Sequence, residues 1–228
     1  MLQMMIAGVL LLGTHLGVSS SGLRGRLVAA LGEKGYLGLY SLVSLATLGY
    51  LIWLYGEQPR YDYVWSPRPA LYIAAQVIMP FAFLLALGGF LVKNPTNVGM
   101  EGLLRDAQDP DFARGVTRIT RHPFQWGVVL WAIAHLVANG DTVSVIFFGT
   151  FLLLSGLGTV LIDRKKAARL GGGWQAYAAR TSNLPFLAIA QGRNRLVLSE
   201  LWQPLLLALV VYALVVWGHQ WVSGVRII

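Results

Sequence analysis

Residues 121–166 read RHPFQWGVVLWAIAHLVANGDTVSVIFFGTFLLLSGLGTVLIDRKK. Two apolar runs, 123–138 and 142–162, are parted only by Asn139-Gly140-Asp141. Charge closes both ends, with Arg121-His122 in front and Asp163-Arg164-Lys165-Lys166 behind. Asn-Gly-Asp is turn chemistry. A helix rises about 1.5 Å per residue, so the second run reaches across ~30 Å of hydrocarbon and the first is slightly short. The stretch predicts a tight membrane hairpin whose two charged ends lie on the same side.

Working outward, four more apolar segments occupy 2–19, 36–55, 69–92 and 201–222. The expected fold class is all-α: a polytopic membrane helix bundle of about six transmembrane helices, read as one domain over 1–228. A hydrophobic fraction of 56%, a charged fraction of 12% and a mean hydropathy of +0.60 agree. Fifteen of the 18 lysines and arginines fall between the first and second, third and fourth, and fifth and sixth segments. The positive-inside rule then puts those loops in the cytoplasm and both termini outside, in the cell inner membrane. The N-terminus, Met1-Leu2-Gln3-Met4-Met5, has no basic region, so the first segment reads as retained rather than as a signal peptide.

The net charge is +8. Its loop-by-loop distribution makes it topological and suited to anionic membrane lipids, not to nucleic acid. There is no cysteine, which removes disulfides, thiolate ligands, covalent haem attachment and iron–sulfur clusters. The two long basic-side loops are expected to cap a site. The first carries an acidic stretch from Asp106 to Asp111. The second should continue the fifth helix past Asp163, break at Gly171-Gly172-Gly173 and resume as an interfacial helix over 174–180. Gly149, Ser155, Gly156 and Gly158 are expected to pack helices closely, and Pro80 to kink the third.

Four histidines are the candidates for chemistry. His15 sits between Gly13 and Gly17, where another helix or a flat cofactor could approach, and lies ~13 Å from the interface marked by Arg24. His122 precedes Pro123, a residue suited to the first helical position, so His122 caps that helix at the surface and with Arg121 forms an anion-binding arrangement. His135 lies ~20 Å deeper on the same helix, with Trp131 one turn earlier. His219, between Trp217 and Trp221, belongs to an aromatic interfacial belt. His15 and His135 differ in depth by ~7 Å, which helix tilt absorbs. They are the expected converging pair, either as axial ligands of one haem or bonded to neighbouring helices.

Gly115-Val116-Thr117-Arg118-Ile119-Thr120-Arg121-His122-Pro123, followed by Trp131-Ala132-Ile133-Ala134-His135 and Asn139-Gly140-Asp141, resembles the signature of the NnrU family. The resemblance extends to His15, to Leu31-Gly32-Glu33 with Tyr36, and to residues 174–186. NnrU proteins are bacterial membrane proteins associated with denitrification and nitric oxide metabolism, with the 15-cis-zeta-carotene isomerases as relatives. The resemblance implies a haem b held by His15 and His135 beside Trp131. The His122 position is also a family histidine, which implies a ligand or substrate-side role for it; His122 and Arg121 are the expected catalytic residues, and the isomerase relatives imply an apolar, lipid-like or polyene substrate for a cis-trans isomerase.

A fainter likeness joins Arg121-His122-Pro123 and the charged loop to integral membrane methyltransferases that use S-adenosylmethionine. That reading would employ Arg121, His122, Asp163, Tyr177 and Arg180. The chain departs from it by having one acid, Asp163, where those enzymes have a glutamate pair. A third reading is a non-enzymatic assembly factor for a nitrogen-oxide reductase.

Overall fold

A computed structural model describes residues 1–19, 21–97, 99–106 and 112–227. Of the acidic stretch, residues 107–111 lie outside the described residues. The chain is all-helical. Helix α1, Leu2–Leu12, runs into a π-helical turn, Gly13–Val18, and α2 spans Gly22–Glu57. Next come α3 (Pro69–Leu91), the four-residue α4 (Val116–Ile119) and α5 (Pro123–Asn139). Helix α6 (Thr142–Arg180), the short α7 (Leu187–Ala190) and α8 (Trp202–Ser223) complete the order. No strand occurs among the described residues; Tyr63 and Asp141 form an isolated bridge.

Four helices are long and apolar enough to cross a membrane: α2, α3, α6 and α8. Leu2–Val18 is a shorter apolar helix, and α5 has 17 residues. Six crossings therefore remain the expectation from charge alternation, with four meeting the length criterion outright. Outward-facing apolar side chains fit a lipid surround: Leu42 and Trp53 of α2 are 66% and 58% exposed. Water would penalise such a face, whereas hydrocarbon accepts it.

The hairpin forms as its sequence dictates. His122 O accepts the first bond of α5 from Trp126 N at 3.0 Å. Gly140 takes φ 74° at the turn, a conformation disfavoured for residues with a Cβ. Asp141 Oδ1 then accepts from Ser144 N at 2.8 Å and caps α6. At 39 residues α6 has nearly twice the length that crosses the hydrocarbon, and only its apolar part, before Asp163, belongs in the bilayer. The break expected among three glycines falls on Gly171, at φ 53° and ψ −134°.

Three expectations need correction. The first basic loop is helical: α2 starts at Gly22, and only Gly32 leaves helical geometry. Ser21 caps its start by accepting from Leu23 N, and the run Leu27-Val28-Ala29-Ala30-Leu31 carries the helix to the break. Residues 174–180 are not an interfacial face, because Trp174 and Tyr177 are buried with Leu104, Phe112 and Ala113. Gly149, Gly156 and Gly158 have nothing within 4 Å of a built Cβ, so they make no close helix contact. Close approach occurs at Gly127 instead, where a Cβ would lie 2.7 Å from Ala82 O. Pro80 lies within α3, which continues through it.

The chain divides into two compact units. One comprises Met1–Ala75 and Ala132–Leu161; in it Tyr55 stacks on Phe147 with centroids 4.1 Å apart and its hydroxyl lies 3.2 Å from Ser144 Oγ. The other comprises Gln76–Trp131 and Ile162–Ile228. It is built on Leu85, Val116 and Ile119, with Trp126, Leu130 and Leu201 packed against them.

Candidate functional sites

In the second unit, α4 and the N-terminus of α5 meet the extension of α6. Thr120 is extended, which separates α4 from α5 and directs Arg121 and His122 toward Asp163. Arg121 Nε lies 3.0 Å from each Asp163 oxygen, and Nη2 donates to Oδ2 at 2.8 Å. Arg121 Nη1 donates to Thr181 O at 3.0 Å, and the guanidinium lies 5.8 Å from the Trp174 ring centroid. His122 Nε2 is 2.7 Å from Asp163 Oδ1. Both oxygens of the one acid are thus engaged. A planar fork on a carboxylate is the strong geometry for such a pair.

His122 is fully buried, not at the surface as its capping position implied. The anion at this Arg-His pair is supplied by the chain itself. Burial lowers the pKa of His122 below its ordinary value, against the opposing hydrogen bond that its Nε2 donates to Asp163. Burial alone would raise the pKa of Asp163, but hydrogen bonds from His122 and Arg121 outweigh it and hold the carboxyl low. A neutral imidazole beside an ionised carboxylate must carry its proton on Nε2. Nδ1 then holds a lone pair, and that atom is buried with no hydrogen-bond partner. The arrangement is an imidazole oriented by a carboxylate, neutral near pH 7, with a second nitrogen able to accept a proton. Tyr177 is also buried, with an unpartnered hydroxyl. Trp126 Nε1 donates to Asn183 Oδ1 at 3.3 Å, tying α5 to the chain after α6.

A second ion pair, buried on its arginine side, supports this loop region. Arg118 Nε and Nη2 donate to Glu200 Oε2 and Oε1 at 2.8 and 2.9 Å. Gly115 N donates to Glu200 Oε2 at 2.6 Å. Arg118 hydrogen bonding keeps the Glu200 carboxyl below its usual range. Sequence reasoning missed Glu200. Its one signal was an acid just ahead of an apolar span, opposite a basic loop.

The other two expected site histidines lie in the first unit. His15 is half-buried in the π-helical turn, a local geometry enriched at functional sites. Its Nδ1 is 3.0 Å from Leu11 O, and its ring is 5.7 Å from that of Tyr40. A carbonyl only accepts, so Nδ1 carries a proton, and in the neutral ring Nε2 presents its lone pair. That is the tautomer a metal-ligating histidine needs, fixed by a backbone carbonyl as such ligands commonly are. Gly13 and Gly17 on either side have nothing within 4 Å of a built Cβ. His135 is half-buried on α5 and stacks on Phe148, with centroids 4.6 Å apart. Trp131 is half-buried one turn earlier. Among the described residues no cluster of three or more His, Cys, Asp or Glu could hold a free metal ion. His219 Nδ1 lies 2.9 Å from Val225 O and 2.8 Å from Ser223 Oγ, where it holds the end of α8.

The family model described as "NnrU protein" matches residues 3–227. The 15-cis-zeta-carotene isomerase, chloroplastic, of Zea mays is 37% identical over 82 residues, 36% of this chain and 22% of that protein. The protein of the same name from Arabidopsis thaliana is 36% identical over 80 residues, 35% of this chain and 22% of that protein. The matches thus span less than a quarter of those relatives. No solved structure matches the chain. With apolar helices long enough to cross a membrane and a family match running nearly from end to end, this chain belongs to the NnrU family of membrane proteins and is related to 15-cis-zeta-carotene isomerase.

Proposed function

We propose that this chain is a haem b-binding membrane protein that works as a redox-linked, isomerase-like enzyme on an apolar, polyene-like molecule. The observation that carries the reading is His15 in its π turn, with Nδ1 committed to Leu11 O; Nε2 of the neutral ring is the nitrogen we propose as ligand. The isomerase names of the two plant relatives supply the substrate class. His15 and His135 would hold the group, with Trp131 beside it. When bound, haem iron supplies a redox-switchable Lewis acid. The chain's own part is to fix each imidazole: Leu11 O orients His15, and Phe148 packs on the His135 ring. A role in nitric oxide or denitrification metabolism belongs to the same proposal, since a haem site also serves that chemistry.

In the second unit we assign His122 as the proton-handling residue, acting at Nδ1, and Arg121 as the residue that positions Asp163 for it. The methyltransferase-like reading has less support. Asp163, its single candidate acid, already serves Arg121 and His122 with both oxygens.

The deciding experiment is an absorption spectrum of the detergent-purified protein, oxidised and dithionite-reduced, with a pyridine haemochromogen assay. Near-stoichiometric haem b with sharp reduced α and β bands is the expected result. A protein that stays colourless after haem supplementation would overturn the proposal. Heat on titration with S-adenosylmethionine would then favour the methyltransferase-like reading. Co-purification of a reductase partner would favour an assembly factor.

A further inference from the structure

A cavity of about 510 Å³ lies within the second unit, inside the ~300–1,000 Å³ range of ligand sites. One wall is a single face of α6. Ile162, Lys165, Lys166, Arg169 and Leu170 recur at helical spacing, so all five share one side of the helix. Lys166 is only 8% exposed and donates to Pro95 O at 2.6 Å. Lys165 is half-buried and Arg169 is exposed. The cations therefore run from the interior to the mouth. On a solvated basic loop they would point outward on all sides.

Two aromatic side chains also line the cavity. Phe90 and Phe124 meet edge to face with centroids 5.4 Å apart, and are 63% and 40% exposed. Gln125 also lines the cavity, and its Oε1 is buried with no hydrogen-bond partner. No acidic side chain lines it among the described residues. Asp163, which adjoins the basic face in sequence, is engaged by Arg121 and His122. The cavity sits where α3 ends at Leu91 and where the apolar part of α6 gives way to charge. A ligand there meets hydrocarbon on one side and cations on the other.

We propose that this cavity binds an anionic amphiphile of the glycerophosphate class. Its phosphate rests on Lys165, Lys166 and Arg169. A headgroup hydroxyl donates to Gln125 Oε1, and the acyl portion lies against Phe90 and Phe124. The haem proposal plays no part in this inference, so either can fail alone.

The test uses the full chain in a neutral detergent, with phosphatidylglycerol, phosphatidylcholine and glycerol 1-phosphate as probes. Binding is read by native mass spectrometry and by titration of tryptophan fluorescence. The cavity variant is Lys165→Gln with Arg169→Gln. The control is Arg60→Gln with Arg68→Gln, which removes the same charge elsewhere. Phosphatidylglycerol should bind the unaltered chain, and the cavity variant should weaken that binding on the order of thirtyfold, as for two interfacial cations. The control, and the charge-keeping Lys165→Arg with Arg169→Lys, should stay near the unaltered affinity. If the cavity variant folds poorly, Arg169→Gln alone, at an exposed position, should still show a severalfold loss. Equal binding of phosphatidylcholine, or an equal loss in the control, overturns the proposal. Glycerol 1-phosphate binding as tightly as the lipid also overturns it, since the site would then take a soluble phosphate ester.

Discussion

Replacing Asp163 by Asn should be among the most damaging isosteric changes in this chain. The carboxylate receives the Arg121 fork and the His122 Nε2 proton, so the substitution leaves a buried guanidinium without its counter-charge. Removing one partner of a buried ion pair costs ~3–5 kcal/mol. Arg121 and Asp163 keep 14% and 20% side-chain exposure, and asparagine retains one acceptor oxygen, so the lower end applies, about 3 kcal/mol. For a chain of this size each kcal/mol moves the midpoint by ~2–4 °C, which gives a drop of about 6–12 °C. The eight tryptophans allow the melt to be followed by intrinsic fluorescence in detergent. In the background of Arg121→Gln the same change should cost about 2 kcal/mol less, because the pair is already broken. A midpoint within 2 °C of the unaltered chain (well below the estimated range) or strictly additive losses would refute the reasoning.

Other consequences are equally direct. His15→Ala and His135→Ala should each lower haem content far more than His219→Ala, measured by pyridine haemochromogen; equal retention in all three would sink the ligand assignment. Burial lowers the His122 pKa from 6.5, so between the folded value and 6.5 the unfolded chain holds a proton that the folded chain does not. Stability should therefore fall as pH drops below about 6.5 and be level above it, and His122→Asn should flatten that part of the melting-versus-pH curve. Gly127→Val should destabilise by ~1–3 kcal/mol, because a Cβ there would meet Ala82 O at 2.7 Å, while Gly149→Ala should change the midpoint little.

The site was legible in part because its residues carry local signals. Pro123 after His122 marks a helix start, and the structure places His122 at that cap. The depth of His122 was not legible. A residue at a helix N-terminus is ordinarily near the surface, and only the return of α6, 41 positions later in sequence, covers it and brings Asp163. Asp163 itself stood out as a lone acid at the end of an apolar run, but nothing local paired it with Arg121. Trp174 and Tyr177 likewise read as an interfacial face, because the partners that bury them, Leu104 and Phe112, lie far away in sequence.

Hydrophobic run length, loop charge and turn chemistry are local quantities, and they alone determined an all-helical membrane chain, the Asn139–Asp141 hairpin and the break among the three glycines. They also marked His15, His122 and His135 as the histidines to follow. Tertiary structure decided which charges meet. It put Arg121 and His122 on one carboxylate, paired Arg118 with Glu200, and turned three cations of α6 into a cavity wall. The physical reason is that a salt bridge or a cavity depends on which helix faces are apposed. That apposition is set by packing between segments distant in sequence, which no local pattern encodes.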